Sequence, residues 1–410
     1  PADMYIYSYS LLDLIGTPQQ RHEHLDETSV RGFMGARGYI TDQAMSVQQD
    51  MLVKAFACPS FLTAANTFRK FLSYSFQCPS PMMWLLGGNT QECLIRPLER
   101  HLRQIARRTG RTLDIQPLRQ VIKLLLDDRG TVVRLECGEL ASSPSVDRSP
   151  PQIKRTFRLP VHGDVILAVP PQAVASLLDD AVYQHAPKLG DVRKLRSEPM
   201  ISMDLYFKVK LPDLPLAIVN LQDSKFDLSF LDTSQAWATG GKSGNTVLNV
   251  VASDVEPIVC LSYKKIAELL IEHLNHYIPF SRARDIDHAR TYVQTNLREA
   301  LFTNEVGSAK LRPTTRTGIA NLFMAGDYVT NPIDVVTIEG AVASGLSAAE
   351  AVRQRAGIGE PITVTRPTTI PEAALLPLRL AGAPSAYAAK AMSVSQHWFR
   401  EAFREVFPRG

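Results

Sequence analysis

The chain has 410 residues, 45% of them hydrophobic and 21% charged, which excludes a disordered protein and allows a large core. A net charge of +4 is modest for that length and gives no argument for a nucleic-acid partner. The five cysteines, Cys58, Cys78, Cys93, Cys137 and Cys260, are scattered and form no CxxC pair, and no apolar run reaches membrane-spanning length; the expectation is a cytoplasmic protein with reduced thiols.

The opening residues, PADMYIYSYS, are neither a signal peptide nor a starting methionine, so the sequence reads as beginning partway into a longer protein or after processing. Residues 1 to 45 read as irregular, punctuated by Gly32, Gly35 and Gly38. His22, Glu23 and His24 do not fall on one helix face and lack a third ligand, so they read as a solvated loop with no metal. Residues 44 to 77 carry helical apolar spacing, broken at Pro59. Met82, Met83 and Trp84 follow; they read either as core or as the lining of an apolar pocket, since flexible methionines adapt to bulky ligands. Gly87-Gly88 is a tight bend, with a helix from about Thr90. Its arginines at 100, 103, 107, 108 and 111 have no interleaved aromatic residues and read as a solvated face.

A hairpin follows: TLDIQPLRQVIKLLLDD, a turn at Arg129-Gly130, then TVVRLEC. Gly138 to Arg155 is a polar, proline-rich excursion. Val165 to Val169 is a continuous apolar run, as in a strand covered on both faces; Pro170-Pro171 ends it and a short helix, QAVASLLDD, follows. Residues 197 to 255 alternate and predict a sheet, and Leu261 to Tyr277 an amphipathic helix.

Residues 321 to 352 are the most distinctive stretch. A strand over Leu322 to Ala325 breaks at a Gly326-Asp327 corner, a loop runs to Val336, and a helix starts near Ile338. Gly340, Ala341, Ser344, Gly345, Ala348 and Ala349 leave little side chain on that helix. A helix N-terminus behind such a corner suits a phosphate-bearing or electron-accepting ligand; the plainer alternative is an ordinary strand-turn-helix. Residues 357 to 384 read as a proline-rich linker. In the C-terminal helix Met392, Phe399, Phe403 and Phe407 fall near one face, for docking on the same domain or for contact with a membrane surface or a partner.

Four segments, LLGGNTQECLIRPL, the LDIQPLRQVIKLL and GDVILAVPP pair, NEVGSAKLRP, and NLFMAGDYV…VVTIEGAVASGLSAAEAV, occur in an order that resembles the flavin-containing amine oxidase superfamily. Within it the phytoene-desaturase and hydroxysqualene-dehydroxylase branch is the most similar. The resemblance spans about Ser46 to Val352 and implies a mixed α/β fold. It would have a Rossmann-like FAD-binding domain (80 to 190 and 290 to 356) and an inserted substrate domain of antiparallel sheet and helices (1 to 79 and 191 to 289). It further implies that Val121 meets the FAD adenine and that Ala168 and Pro170 end the strand beside the dinucleotide. Gly326 and Asp327 would form the corner at the pyrophosphate and ribityl chain, and Thr337, Ile338 and Ala341 the helix start under the flavin pyrimidine. Gly87 and Gly88 would turn beside the ring. Asp334 is the candidate proton-handling group, with a structural loop role as the alternative, and Tyr328 a candidate for the substrate face.

One departure stands out. The family's GxGxxG strand-turn-helix for the FAD pyrophosphate is not found; GARG at 35 to 38 and Gly240-Gly241 have the wrong spacing. The expectations are a front part absent from the sequence, a separate subunit that supplies the unit, or a loss of tight FAD binding. The implied activity is a FAD-dependent desaturase acting on a hydrophobic small molecule of isoprenoid or lipid type. The alternatives are a flavin amine oxidase and a non-catalytic scaffold that keeps the fold.

Overall fold

The structure is a computed structural model that describes residues 2–47, 52, 58–77, 84–141, 152–237, 244–297 and 300–406, the side chains of 397 and 399–406 excepted. Met82 and Met83 lie outside the described residues, as do Cys78 and Phe407. The chain divides by packing into two compact units, each discontinuous: 1–82, 163–198 and 302–410 form the first, and 83–162 with 199–301 the second.

In the first unit the opening residues are helical, contrary to the irregular segment expected from their turn-rich composition. Helix α1 (Ala2–Ile15) buries Ile6, Tyr9, Leu14 and Ile15, and short helices α2 (His22–Asp26) and α3 (Val30–Gly35) follow. Their helicity comes from tertiary packing, which overrides weak local propensity. The next helix, α4 (Ala65–Gln77), buries Phe68 and Leu72 in the same core.

The proline-rich C-terminal segment is the second correction. The linker ends sooner than expected, because α9 (Glu372–Val406) is helical from 372 and contains Pro377 and Pro384. Its inward face, Leu375, Ala386 and Ala389, joins the core of α1, and Tyr9 donates its hydroxyl to the carbonyl of Arg379 at 2.8 Å. A proline inside a helix forfeits one backbone hydrogen bond and crowds the preceding turn. Packing along α1 compensates. Of the expected apolar face, Met392 is 55% exposed.

A buried charge fixes this helix pair. Asp13 on α1 accepts from Arg37 Nε at 2.7 Å, from Arg379 Nε at 3.0 Å and Nη2 at 2.6 Å, and from the Tyr39 hydroxyl at 2.9 Å. Burial alone would raise its pKa, but the two guanidinium groups overcome that and hold it below the usual carboxylate range.

Two short parallel strands complete the first unit. β4 (Val165–Leu167) pairs Val165, Ile166 and Leu167 with Leu322, Phe323 and Met324 of β10 (Leu322–Met324). Helix α6 (Pro171–Leu177) follows β4, as the Pro170-Pro171 stop predicts, and α8 (Ile338–Ala356) follows β10.

The second unit holds two antiparallel sheets. β1 (Arg119–Leu126), β2 (Val132–Leu140) and β3 (Ile153–Pro160) form the expected hairpin extended by one strand, with Gly130 at φ 73° in the turn. The larger sheet runs in the order β9-β5-β8-β7-β6. Its strands are β5 (Ile201–Tyr206), β6 (Val219–Asn220), β7 (Leu228–Asp232), β8 (Val247–Ala252) and β9 (Tyr292–Thr295). Alternation sends Ile201, Met203 and Leu205 inward, where they meet Ile266, Leu270 and Leu274 of helix α7 (Tyr263–Asn275). Helix α5 (Arg96–Arg108) keeps its arginine-rich face exposed, with Arg103 paired to Glu99 one turn back. Among the described residues no helix is long and apolar enough to cross a membrane.

Candidate functional site

The corner after β10 is built from backbone and one buried serine. Ala325 N–H extends the parallel ladder to the carbonyl of Leu167 at 3.0 Å. The next N–H, of Gly326, donates to Ser344 Oγ at 2.8 Å, and Ser344 in turn donates to the carbonyl of Ala341 at 2.8 Å. Ser344 is fully buried, so the small-residue face of α8 is where strand and helix meet.

Gly326 has φ 143°, and a Cβ there would lie 2.8 Å from the Tyr328 ring. Gly340, in the first turn of α8, would place a Cβ 2.6 Å from the carbonyl oxygen of Val335. Both glycines are therefore required by shape. We expect Gly326→Ala to cost about 1–3 kcal/mol through backbone strain alone, read as a lower thermal midpoint. A midpoint equal to wild type would show that the corner can relax.

Helix α8 opens with a side-chain cap. Thr337 is extended (φ −152°, ψ 164°), its hydroxyl accepts from Gly340 N–H at 3.1 Å, and its carbonyl accepts from Ala341 N–H at 3.1 Å. The first two helical N–H groups have no partner within the helix by construction. Ile338 is 72% exposed and Val342 57% exposed, so the helix start presents an apolar ridge below those N–H groups. Asp327 is half-buried beside the corner. Burial raises its pKa, opposed by hydrogen bonds from the backbone N–H of Tyr328 and its own and by the charge of Arg312.

The loop between corner and helix is held by side chains that sequence reading did not single out. Arg312, whose side chain is 3% exposed, donates to the carbonyls of Tyr328 (2.8 Å), Val329 (3.1 Å) and Asp327 (3.3 Å) and ion-pairs with Asp334. Asn331 accepts from the N–H of Ile333 at 3.0 Å and of Asp334 at 2.9 Å and donates to Val329 O at 2.7 Å. Asn304 accepts from Val336 N–H at 3.1 Å, and Tyr74 donates to Ile333 O at 2.9 Å. Val335 plugs into the helical core. In the sequence Arg312 and Asn304 are marked only by their place in the NEVGSAKLRP segment and Asn331 only by its place in the loop to Val336; Lys70 carries no signal.

Asp334 itself is clamped. Lys70 of α4 and Arg312 take one oxygen each, and the residue sits at φ 58°. With both carboxylate oxygens engaged, the geometry supports the loop role over proton handling. Tyr328 is a correction. It is 1% exposed, packed edge-on against Phe302 at 6.3 Å, and its hydroxyl has no hydrogen-bond partner among the described residues. A ring buried this way lines no open pocket.

The remaining candidates divide between the units. Ala168 is exposed just after β4, and Pro170 precedes α6. In the second unit Val121 lies on β1, an edge strand of its sheet. Gly87 has open space where a Cβ would stand. Trp84, 85% exposed, lines a cavity of about 320 Å³ with Leu85, Leu86, Leu231 and Trp237.

Residues 23–353 match the family model described as flavin containing amine oxidoreductase. The chain belongs to that family. Its members are flavin proteins, and the residues present fit such a group. The open N–H groups of the α8 start, the apolar ridge at Ile338 and Val342, and the half-buried carboxyl of Asp327 offer a polar ring edge, an apolar ring face and hydroxyl groups one partner each. The 15-cis-phytoene desaturase of Narcissus pseudonarcissus is 22% identical over 274 residues, 66% of this chain and 44% of its own length. The Arabidopsis thaliana 15-cis-phytoene desaturase is 23% identical over 85% of this chain and 57% of its own length. The carotenoid phi-ring synthase of Chlorobaculum tepidum is 32% identical over 32% of this chain and 18% of its own. The chain thus spans less than two thirds of these relatives. A crystal structure of an oxidoreductase from Methanosarcina mazei shares the fold, with TM-score 0.52 and 13% identity over 79% of this chain and 68% of that one.

Proposed function

We propose that the chain works as a FAD-dependent oxidoreductase that removes hydride from an sp³ carbon of a bulky, apolar substrate of isoprenoid or lipid type. The α8 start carries this reading: a Thr-capped helix N-terminus, directly behind a glycine corner with a half-buried carboxyl, in a flavin family. The carotenoid-acting names of the relatives and the cavity at Trp84 support the apolar substrate.

Bound FAD would supply a two-electron acceptor for hydride, so that loss of a proton from the neighbouring carbon leaves an olefin. The protein's own contributions are orientation, fixed charge and exclusion of water. The N–H groups of Ile338 and Glu339 and the positive end of the 19-residue helix stabilise negative charge placed before them without rearrangement. Asp327 is positioned to accept from ribityl hydroxyls. The Arg312 clamp holds the loop so that these groups keep one geometry.

The test is an absorbance titration of the purified protein with FAD. Saturable flavin bands are expected, weakened in Asp327→Asn, which keeps the side-chain shape and removes the charge. No flavin uptake by wild type would overturn the enzyme reading for this chain. Fast flavin reduction by a primary amine would move the reading to an amine oxidase.

A further inference from the structure

A separate recess of about 230 Å³ opens in the first unit, away from the residues assigned to the flavin, lined by Thr17, His22, Arg69, Ser73, Thr369 and Glu372 among others. Arg69 and Ser73 lie one turn apart on α4, on the same face. Arg69 uses Nε to donate to Asn66 Oδ1 at 3.0 Å. Among the described residues its two terminal amino groups have no acceptor, and no carboxylate stands within ion-pair distance. Asp26, the carboxylate whose charge Arg69 feels, is hydrogen-bonded to Asn66, and burial raises its pKa. Ser73 is 5% exposed; its oxygen accepts from Gln77 Nε2 at 3.3 Å, and its own O–H has no acceptor among the described residues.

The rest of the lining agrees. His22 has Nε2 at 3.0 Å from the carbonyl of Thr17, where it donates. Burial first, and then the charge of Arg69, hold the imidazole pKa down. Glu372 is exposed, and among the described residues it makes no hydrogen bond or ion pair with Arg69 or His22. A half-buried guanidinium with free paired donors costs free energy unless an anion meets it. Its fork matches two oxygens of one group.

We infer that this recess binds the oxyanion of a small carboxylate or phosphate compound, held by the Arg69 fork and the Ser73 hydroxyl. The volume admits such a group and excludes a dinucleotide or a long isoprenoid chain.

Isothermal titration of the whole chain with sodium acetate and with inorganic phosphate, against a sodium chloride background, tests this. The expected result is saturable one-to-one binding of one of the two ions, which also tells carboxylate from phosphate. Binding should weaken about tenfold in R69Q, as for loss of a charge-assisted bond, fall by less in S73A, and strengthen in E372Q, where a rim charge is gone. S73A and E372Q keep the test decisive if R69Q does not fold. No saturable heat with either ion, or unchanged binding in R69Q, overturns the site. A lower melting temperature in E372Q without anion binding would assign Arg69 to Glu372 instead and also overturn it. The readout does not involve flavin, so its failure and that of the flavin reading are separate.

Discussion

Arg312→Met is expected to destabilise the first unit by about 3–5 kcal/mol and to abolish flavin retention. The guanidinium is buried and has four acceptors: three consecutive loop carbonyls, of Asp327, Tyr328 and Val329, and the Asp334 carboxylate. Removing it leaves Asp334 with Lys70 alone, takes one donor from each of three carbonyls, of which Val329 keeps Asn331, and breaks a buried pair from one side, which is costly because the other side stays charged. The Asp334 variants separate charge from conformation. Asp334→Asn keeps a residue type that tolerates φ 58° and loses the pairing, so about 1–2 kcal/mol is expected, since Arg312 retains its carbonyls. Asp334→Ala loses both and should be worse. Thermal unfolding with and without FAD reads the two effects. Equal loss in Asn and Ala variants would assign the whole role to charge. A wild-type pH–rate profile in Asp334→Asn would confirm that the residue handles no proton, whereas loss of one limb of that profile would restore the catalytic reading.

Asp13→Asn is the second large effect, expected at about 2–4 kcal/mol because two guanidinium groups lose a shared buried anion. The same contact predicts acid sensitivity. The folded pKa of Asp13 lies below its ordinary value of 3.8, so the stability it contributes is fully present above that value and is lost as pH falls through the folded pKa. Urea midpoints measured from neutral pH down to about pH 3 should fall more steeply in wild type than in Asp13→Asn. Parallel curves would remove Asp13 as the source.

Local patterns made parts of the fold legible. The hairpin over β1 and β2 was readable because alternation and an Arg-Gly turn agree. The strand, corner and helix at 322 to 356 were readable for the same reason: a short apolar run, Gly-Asp, and small residues at helical spacing. Helix α1 was not readable, because aromatic and serine residues with no strong cap form a helix there only against α9. That helix was hidden in turn by Pro377 and Pro384, which mark a linker unless packing holds the helix together. The clamp joins Lys70, Asn304, Arg312 and Asp334, which are distant in sequence or lie in loops without a period. Tyr328 was misplaced because a strand-corner-aromatic pattern does not say which way the ring turns.

The pairing of α1 with α9 bears on the order in which the protein can be made. Asp13 and Arg379 are 366 residues apart, yet they share a salt bridge in the core of the first unit. During synthesis the side of α1 that packs on α9 stays uncovered until these 366 residues have followed it. The second unit, 83–162 and 199–301, has all its strands by then and can finish first. That side of α1 must therefore be shielded over the interval between the two helices, which makes this helix a natural client segment for a holding chaperone.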